Sequence, residues 1–311
     1  MRIALLGNHG VSYSSETHHA NTLELLGHDV IRLQEPQTPA PAIARVDCDL
    51  FVWVHTHGWN TPHIDQAIAE LRRRGVPVVA YHLDLYMPLP RWQNYHADPY
   101  LRQVDHFFTV DPQMADWLNT NTNTRGHFLP AAVYQPECYL ADEPDASRGN
   151  EVVFVGSRNY HPSWPYRPQL IDWLRDTYGT RFTHIGPDGD TGQLRGHELN
   201  RVYAGSKIAV GDTLCPGFTY PGYASDRLFE APGRGAFQIF PNIPGLDGWF
   251  TNHENIVFYP FGDFGALREL IDHYLGADTE RETIRTAGHA HVAENHTYTN
   301  RWNTILNTVF A

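Results

Sequence analysis

Apolar runs with the length of buried strands alternate with amphipathic segments along the whole chain. The first half contains six such runs: RIALLG, DVIRL, DLFVWV, PVVAYHL, HFFTV and GHFLP. Between the third and the fourth, the pattern predicts a helix with Thr61 as its cap, Pro62 at its first position and Gly75 at its end. Strands that alternate with helices predict parallel sheets, because a parallel connection needs a crossover helix.

The same alternation restarts in the second half. The runs EVVFVG, RFTHIG, KIAVGD, AFQIF and NIVFYP predict five more strands, whereas residues 131–150 lack periodicity and carry Pro, Asp, Ser and Gly. We therefore predict an α/β protein of two Rossmann-like domains, residues 1–145 and 146–311. Their parallel sheets are expected to face a central cleft, and C-terminal helices close the chain.

The composition is that of a globular protein without a membrane segment. Of the 311 residues, 41% are hydrophobic and 19% are charged, and no segment approaches 18 consecutive apolar residues. The first apolar run is too short for a signal peptide and has no cleavage site, so we expect a cytoplasmic protein. The three cysteines, Cys48, Cys138 and Cys215, lack the spacing of a disulfide framework or a zinc site.

The net charge of −12 is concentrated in the first half. Residues 1–145 contain nine arginines against 17 Asp and Glu residues, a net charge of −8. This balance weakens the case for nonspecific binding to nucleic acid or anionic membranes, although it leaves room for a local basic patch.

One segment, SDRLFEAPGRGAFQIFP, places a lone glutamate on a short helix directly before a buried strand. A helix that leads into a parallel strand has its N-terminus near the mouth of the sheet, where the Glu230 carboxylate could bind sugar hydroxyls. Alternatively, Glu230 forms a salt bridge with Arg227, three residues earlier on the same helical face. The pattern by itself leaves both interpretations open.

The second half of the chain resembles the CgeB-like, or spore-maturation-protein-B-like, branch of the group 1 glycosyltransferases of GT-B fold. The resemblance rests on EVVFVGSRNYHPSWPYRPQLIDWL, ELNRVYAGSKIAVGD, GYASDRLFEAPGRGAFQIF, NIVFYPFGDFGALRELIDHYL and ENHTYTNRWNTIL. In the first half it covers only the strand order and the segments YHLDLYMPLP and FLPAAVYQPECY. It implies transfer of a sugar from a nucleotide-sugar donor on the C-terminal domain to an acceptor on the N-terminal domain.

The resemblance also implies roles for individual residues. Glu230 matches the glutamate that binds the ribose hydroxyls of the donor, and a carboxylate suits a vicinal diol because it accepts two charge-assisted hydrogen bonds. Related retaining enzymes carry another glutamate eight residues earlier, where this chain has Gly222. This departure leaves the stereochemical outcome open and is compatible with a protein that binds without catalysis.

A departing nucleoside diphosphate needs cations or aligned backbone donors. The segment from Gly222 to Arg227 and the GSRNY loop after the first strand of the second domain could supply both, although either arginine could instead pair with surface carboxylates. The candidates for donor binding are Gly156, Arg158, Gly222, Ser225, Asp226, Arg227 and Glu230.

Polar and aromatic residues also follow strands of the first half. The candidates for binding the acceptor or the sugar are His9, Gly10, His55, His57 and Trp59. After the fourth strand, Asp84 is a candidate catalytic base if the enzyme inverts, and His82 would orient the sugar or acceptor; each could equally be a cap or a core residue. The His-x-His spacing of residues 55 and 57 is compatible with a metal, but the resembled fold generally works without one, so we predict no metal.

We therefore predict a metal-independent hexosyl- or pentosyltransferase that uses a nucleotide sugar, such as a UDP-sugar, as cosubstrate and needs no other cofactor. The acceptor hydroxyl could belong to a small molecule, a glycan, a protein or modified DNA. A first alternative is a phage-type DNA glycosyltransferase that acts on 5-hydroxymethylpyrimidine bases, for which the aromatic loops could stack a flipped base. A second is a noncatalytic nucleotide-sugar or glycan binding protein on a degenerate GT-B scaffold.

Overall fold

The computed structural model describes residues 1–55, 59–85, 99–148, 150–159, 164–213 and 220–311. Within these ranges the chain forms two compact units. Unit 1 comprises Met1–Pro130 and Tyr298–Ala311, and unit 2 comprises Ala131–Thr297. Each unit contains one parallel sheet flanked by helices, which confirms the predicted α/β class with two Rossmann-like sheets.

Unit 1 is built on a six-stranded sheet. Its strands are β1 (Arg2–Gly7), β2 (Asp29–Gln34), β3 (Leu50–Trp53), β4 (Val78–His82), β5 (His106–Thr109) and β6 (Arg125–Phe128). The helices between them are α1 (Ser15–Leu25), α2 (Ala40–Arg45), α3 (Ile64–Arg73), α4 (Pro99–Gln103) and α5 (Pro112–Asn121). The strands lie in the order β2-β1-β3-β4-β5-β6, and all neighbours are parallel.

Of the four inner strands, β3, β4 and β5 are buried at every position and β1 at all but its first, because helices cover both faces of a parallel sheet. The edge strands β2 and β6 are partly exposed and correspondingly more polar. Strand β1 has β2 on one side and β3 on the other, so the strand order reverses at β1 and makes it the topological switch point of the sheet. Such a switch point is where ligands bind in open α/β sheets.

Helix α3 begins two residues later than the sequence predicts. Thr61 does not cap it, because the Thr61 hydroxyl donates a hydrogen bond to the buried carboxylate of Glu35 (3.3 Å). The helix starts at Ile64 instead, after His63, whose left-handed backbone (φ 62°) turns the chain into the first helical turn. A tertiary contact therefore overrides a local capping signal.

Unit 2 is built on a five-stranded sheet. Its strands are β7 (Val152–Val155), β8 (Phe182–Ile185), β9 (Ile208–Val210), β10 (Gln238–Asn242) and β11 (Val257–Pro260). The helices of this unit are α6 (Tyr166–Tyr178), α7 (Gly196–Gly205), α8 (Arg227–Gly233), α9 (Phe264–Gly276) and α10 (Asp278–Asn295). The strands lie in the order β11-β10-β9-β7-β8, again all parallel, so β7 and β9 form the switch point of this sheet.

The short helix α8 is held tightly against α10. A Cβ atom at Gly233 would lie 2.9 Å from the Val292 side chain of α10 and 3.0 Å from Val133, so only glycine allows this approach. The contact packs the end of α8 closely against α10 and Val133, which fixes the position of the helix.

The last helix, α11 (Tyr298–Val309), belongs to unit 1 and not to the C-terminal domain in which the predicted boundary placed it. Its Trp302 is fully buried and donates a hydrogen bond to Nδ1 of His19 in α1 (3.2 Å), and Arg301 donates to the carbonyl of Pro130 (2.8 Å). Unit 2 therefore starts at Ala131, the first residue of the segment 131–150 that lacks periodicity, and ends at Thr297. The binding roles of the two domains stay predictions.

None of the helices in the described part of the chain is long and apolar enough to cross a membrane.

The placement of α11 can be tested with Trp302→Ala. We expect this variant to lose about 3–5 kcal/mol of unfolding free energy, the usual cost of deleting a buried Trp side chain. Hydrogen exchange should accelerate in α1, because His19 loses its partner, while unit 2 stays protected. Asn303→Ala, at an exposed position of the same helix, is the control and should change stability by less than about 0.5 kcal/mol. Accelerated exchange confined to unit 2 would contradict the assignment.

Candidate active site

The switch point of unit 2 contains a cavity of about 230 Å³. Its walls come from the loops that follow β7 and β8, from α7 and from the start of α8. The sequence-predicted residues that line it are Gly156, Ser225, Asp226, Arg227 and Glu230. Five of the seven donor-site candidates therefore share one cavity, at the edge of the sheet where ligands are expected.

A buried carboxylate, that of Asp212, organises one wall of this cavity. Asp212 follows β9, has no exposed surface, and accepts hydrogen bonds from Nε of Arg167 at 3.0 and 2.9 Å. Trp164 donates to the same carboxylate (3.2 Å), and Nη1 of Arg227 lies 3.4 Å from it. Two arginines thus share a single buried carboxylate, which offsets the cost of burying it.

Arg227 is fixed further by the backbone of β7. Its Nε donates to the carbonyl of Val155 (2.8 Å), and a Cβ atom at Gly156 would lie 2.7 Å from its Nη2. Gly156 also has a positive φ of 144°, which disfavours other residues. Glycine at this position therefore lets the guanidinium lie against the strand end and form part of the cavity wall.

The start of α8 differs in detail from the sequence-based expectation. We expected the backbone N–H groups at Ser225 and Asp226 to be available for a diphosphate, but the Ser225 N–H donates to Oγ1 of Thr213 (3.0 Å). Asp226 precedes the first residue of α8 and makes no side-chain capping bond. Ser225 thus supports the loop after β9, and the guanidinium groups of Arg167 and Arg227 are the better placed donors for an anion.

Glu230 lies one turn into α8 and lines the cavity. Among the described residues it forms no ion pair, and the carboxylate partner of Arg227 is Asp212, so the predicted alternative of a Glu230–Arg227 salt bridge is not realised. The pKa of Glu230 is raised to about 7, mainly by burial and also by the neighbouring Asp226 carboxylate, while Arg234 and Arg195 act in the opposite direction. A half-buried carboxyl group without an ion partner is available for a ligand.

Two donor-site candidates are not brought to the cavity. The guanidinium of Arg158 pairs with Asp172, and its backbone N–H donates to Asp188 (3.0 Å), so it has the surface pairing that was the alternative interpretation of this residue. Gly222 forms a turn with φ of 75°, and its N–H donates to the carbonyl of Pro244 (2.7 Å). Neither residue is among those that line the cavity.

In unit 1, the loop after β1 contains His9 and Gly10. His9 is half-buried; its Nε2 lies 3.1 Å from the carbonyl oxygen of Leu5, and its N–H donates to Gln34 (2.7 Å). Burial lowers the pKa of His9. Gly10 is exposed, and its N–H donates to the side chain of Asn8 (3.2 Å). The loop is therefore tied to the ends of β1 and β2.

His55, after β3, is paired with a residue that the sequence did not single out. Its Nδ1 lies 3.0 Å from Oε1 and 3.1 Å from Oε2 of Glu35, which follows β2. Trp59 is half-buried nearby in sequence, and His57 lies outside the described residues. Glu35 was missed because its neighbours in sequence, Gln34 and Pro36, give no sign of a functional residue.

The two catalytic candidates after β4 differ in exposure. His82 is the last residue of the strand and has no exposed surface; its ring lies beside those of Tyr100 (6.1 Å between centroids) and Phe107 (6.3 Å). His82 is therefore buried, as a core residue would be, and its role in orienting a sugar or acceptor stays a prediction. Asp84 is half-buried.

No group of three or more His, Cys, Asp or Glu side chains among the described residues has an arrangement that could hold a metal ion. The residues that the sequence overlooked in unit 2 are Asp212 and Arg167. The only signal for them was position, since Asp212 directly follows the KIAVG run and Arg167 begins a helix.

A family model and several solved structures are similar to this chain. Residues 167–307 match the family model described as "Glycosyl transferase-like". The whole chain has the GT-B fold of glycosyltransferases, as its full-length structural matches demonstrate. Both agree with the glycosyltransferase predicted from the sequence. The chain has no match among curated protein sequences.

Three similar structures match this chain over almost its full length. Sucrose-phosphate synthase from Thermosynechococcus elongatus superposes with a TM-score of 0.62 at 14% identity, covering 100% of this chain and 99% of that one. HepE from Anabaena, in complex with UDP-glucose, has a TM-score of 0.67 at 14% identity and 99% coverage of both chains. An α-glucosyltransferase bound to UDP and a 13-mer DNA with an HMU base has a TM-score of 0.71 at 12% identity and 100% coverage of both.

The raised pKa of Glu230 predicts a pH-dependent stability. The folded state holds this proton more tightly than the unfolded chain, so the group stabilises the fold below its unfolded pKa and loses that contribution as the pH rises through about 7. We expect Glu230→Gln to be more stable than the wild type by on the order of 2–3 kcal/mol at about pH 8 and by little at about pH 5.

Urea unfolding at the two pH values measures this difference. Glu198→Gln is the matched control, because Glu198 is exposed on α7 of the same unit and does not line the cavity. Equal stability changes for Glu230→Gln at both pH values would contradict the prediction.

Proposed function

We propose that the protein is a glycosyltransferase that binds the nucleotide part of a nucleotide-sugar donor in the cavity of unit 2 and transfers the sugar to an acceptor hydroxyl. The observation that carries this proposal is the Glu230 carboxyl group, which lines the cavity without an ion partner and has a raised pKa. A carboxyl group that burial keeps from ionising lowers the stability of the folded protein at neutral pH. A role in binding is the simplest physical reason for its presence.

A ribose diol fits Glu230 chemically. Its two hydroxyl groups can donate to the two carboxylate oxygens and replace the water that burial removes. Glu230 lies one helical turn after Arg227, which places the ribose and the charged part of the donor on the same side of α8. The family resemblance of the second half gives Glu230 the same role.

The diphosphate of the donor would lie against Arg227 and Arg167. Both guanidinium groups contact the Asp212 carboxylate and are fixed by further hydrogen bonds. Fixed cations stabilise the charge that develops on a leaving diphosphate without reorganisation, which is the task that a metal performs in other transferases. We propose on this ground that the reaction needs neither a metal nor a further cofactor.

The donor is proposed to be a UDP-sugar, because the similar HepE and α-glucosyltransferase structures contain UDP or UDP-glucose. The acceptor is proposed to be the hydroxyl group of a small molecule, a glycan or a protein. Membership of the CgeB-like branch and a cytoplasmic location stay predictions.

Nucleotide binding is the first test. In a thermal-shift panel of UDP, GDP, ADP, TDP and their sugar conjugates, we expect UDP and a UDP-sugar to raise the melting temperature of the wild type. Glu230→Ala should weaken binding by about 10- to 100-fold, the equivalent of one or two charge-assisted hydrogen bonds. Glu198→Ala is the control and should bind as the wild type does. No shift with any nucleotide would overturn the donor site.

A second candidate function is glycosylation of hydroxymethylated DNA. It is favoured by the similarity of the whole chain to the α-glucosyltransferase solved with DNA, whereas the charge of −8 over residues 1–145 speaks against a duplex-binding surface.

We expect the wild type, incubated with UDP-glucose, to transfer no sugar to a duplex with 5-hydroxymethylpyrimidine bases at about 0.15 M salt. Mass spectrometry of the DNA measures the transfer, and an unmodified duplex is the control. A modified duplex that gains a hexose would make this second function the correct one.

A further inference from the structure

Tyr203 brings an uncharged hydroxyl group to the cavity of unit 2. It lies near the end of α7, four positions after Leu199, so both side chains are on the same face of the helix, and both line the cavity. The residue belongs to the apolar core of the unit, in one cluster with Ile185, Leu199 and Ala231. Only 3% of Tyr203 is exposed, so close packing fixes its position.

The hydroxyl group of Tyr203 makes no hydrogen bond within the described part of the chain. Other buried tyrosines of unit 2 do: the hydroxyls of Tyr166 and Tyr259 bond to each other (2.7 Å), and that of Tyr274 donates to Glu280 (3.3 Å). A buried tyrosine hydroxyl usually has a partner, and a phenylalanine would fill the same space in the core. The hydroxyl of Tyr203 therefore contributes nothing to the core that explains its presence.

Charged residues of the cavity lie around this hydroxyl group. The pKa of Tyr203 is raised, mainly by burial and also by the Glu230 carboxylate. The guanidinium groups of Arg234, Arg227 and Arg195 act on it in the opposite direction, and all of these charged residues except Arg234 line the cavity. Because the pKa lies above its usual value, the phenol is neutral at physiological pH and has one proton to donate.

A buried ribose diol needs a hydrogen-bond donor as well as a carboxylate. Each of its hydroxyl groups has one proton to donate and an oxygen that can accept. The ionised Glu230 can accept both protons, but it has none to give, so the hydroxyl oxygens that lose their water need a separate donor. The phenol of Tyr203 acts in the same part of the cavity as Glu230 and supplies this donor without adding a charge.

We propose that Tyr203 is a specificity-determining residue of the donor site, which donates a hydrogen bond to a ribose hydroxyl oxygen while Glu230 accepts from the ribose hydroxyls. This inference rests on the proposed function, and it restricts the donors to sugar conjugates of ribonucleoside diphosphates. A deoxyribose has only one of the two hydroxyl groups of the diol. A deoxynucleotide therefore leaves polar groups of the site without their partners, and such a site rejects it.

The test measures binding to the full chain by titration calorimetry, with UDP, 2′-deoxy-UDP and 3′-deoxy-UDP as probes. We expect Tyr203→Phe to weaken UDP binding by about 3- to 10-fold, the equivalent of one hydrogen bond between uncharged groups. The wild type should bind UDP more tightly than both deoxy analogues. In Tyr203→Phe, this preference over at least one analogue should shrink by the same factor, because the variant has already lost the contact.

Tyr274→Phe is the matched control, because it removes the hydroxyl group of a buried tyrosine in the same unit that does not line the cavity. This variant should bind all three probes as the wild type does. Without ligand, it should unfold at a lower urea concentration, since the Tyr274 hydroxyl bonds to His253 and Glu280. Ligand-free Tyr203→Phe should keep or raise the urea midpoint, because it loses no hydrogen bond within the protein.

Three results would overturn the proposal. They are wild-type affinity of Tyr203→Phe for UDP, an equal loss of its affinity for UDP and both deoxy analogues, or a lower urea midpoint of this variant without ligand. Each leaves the proposed function intact if the wild type binds UDP and Glu230→Ala weakens that binding. A wild type that binds none of the three probes would overturn the proposed donor site and this inference together.

Discussion

The donor cavity depends on one buried carboxylate. Asp212 is fully buried, and its charge is tolerated only because Arg167, Trp164 and Arg227 surround it with donors. These three residues come from α8 and from the region around the start of α6, so the carboxylate joins both to the end of β9. Removing it would leave two guanidinium groups without their shared partner, one of them fully buried. The hydrogen bonds of Asp212 therefore determine the geometry of the cavity wall and also hold α6 and α8 against the end of β9.

Helix α8 combines close packing with charged groups that line the cavity. At Gly233 the helix is packed so closely against α10 that the position allows no side chain, while Asp226, Arg227 and Glu230 at its start line the cavity. Burial favours the neutral form of Glu230, and a ligand that donates hydrogen bonds favours the ionised form. The tight packing at Gly233 holds α8, and with it the carboxyl group of Glu230, in place.

Local patterns predicted much of the fold, because strand burial and helical periodicity are properties of neighbouring residues. All six strands of unit 1 and all five of unit 2 lie within or next to the predicted runs. The start of α3 and the bounds of unit 2 differ from the predicted ones. Both depend on contacts between distant residues, Thr61 with Glu35 and Trp302 with His19, and no capping rule or apolar stripe contains that information.

The sequence by itself determined the parallel α/β class, and it placed Glu230 and Arg227 on a short helix before a buried strand. Only the tertiary structure decided that Arg227 pairs with Asp212 and leaves Glu230 to the cavity, that Arg158 pairs at the surface, and that Glu35 orients His55. The partners in these pairs are 14 to 20 residues apart along the chain. A charged side chain has many possible partners at such separations, and the choice among them is made by the order of the strands.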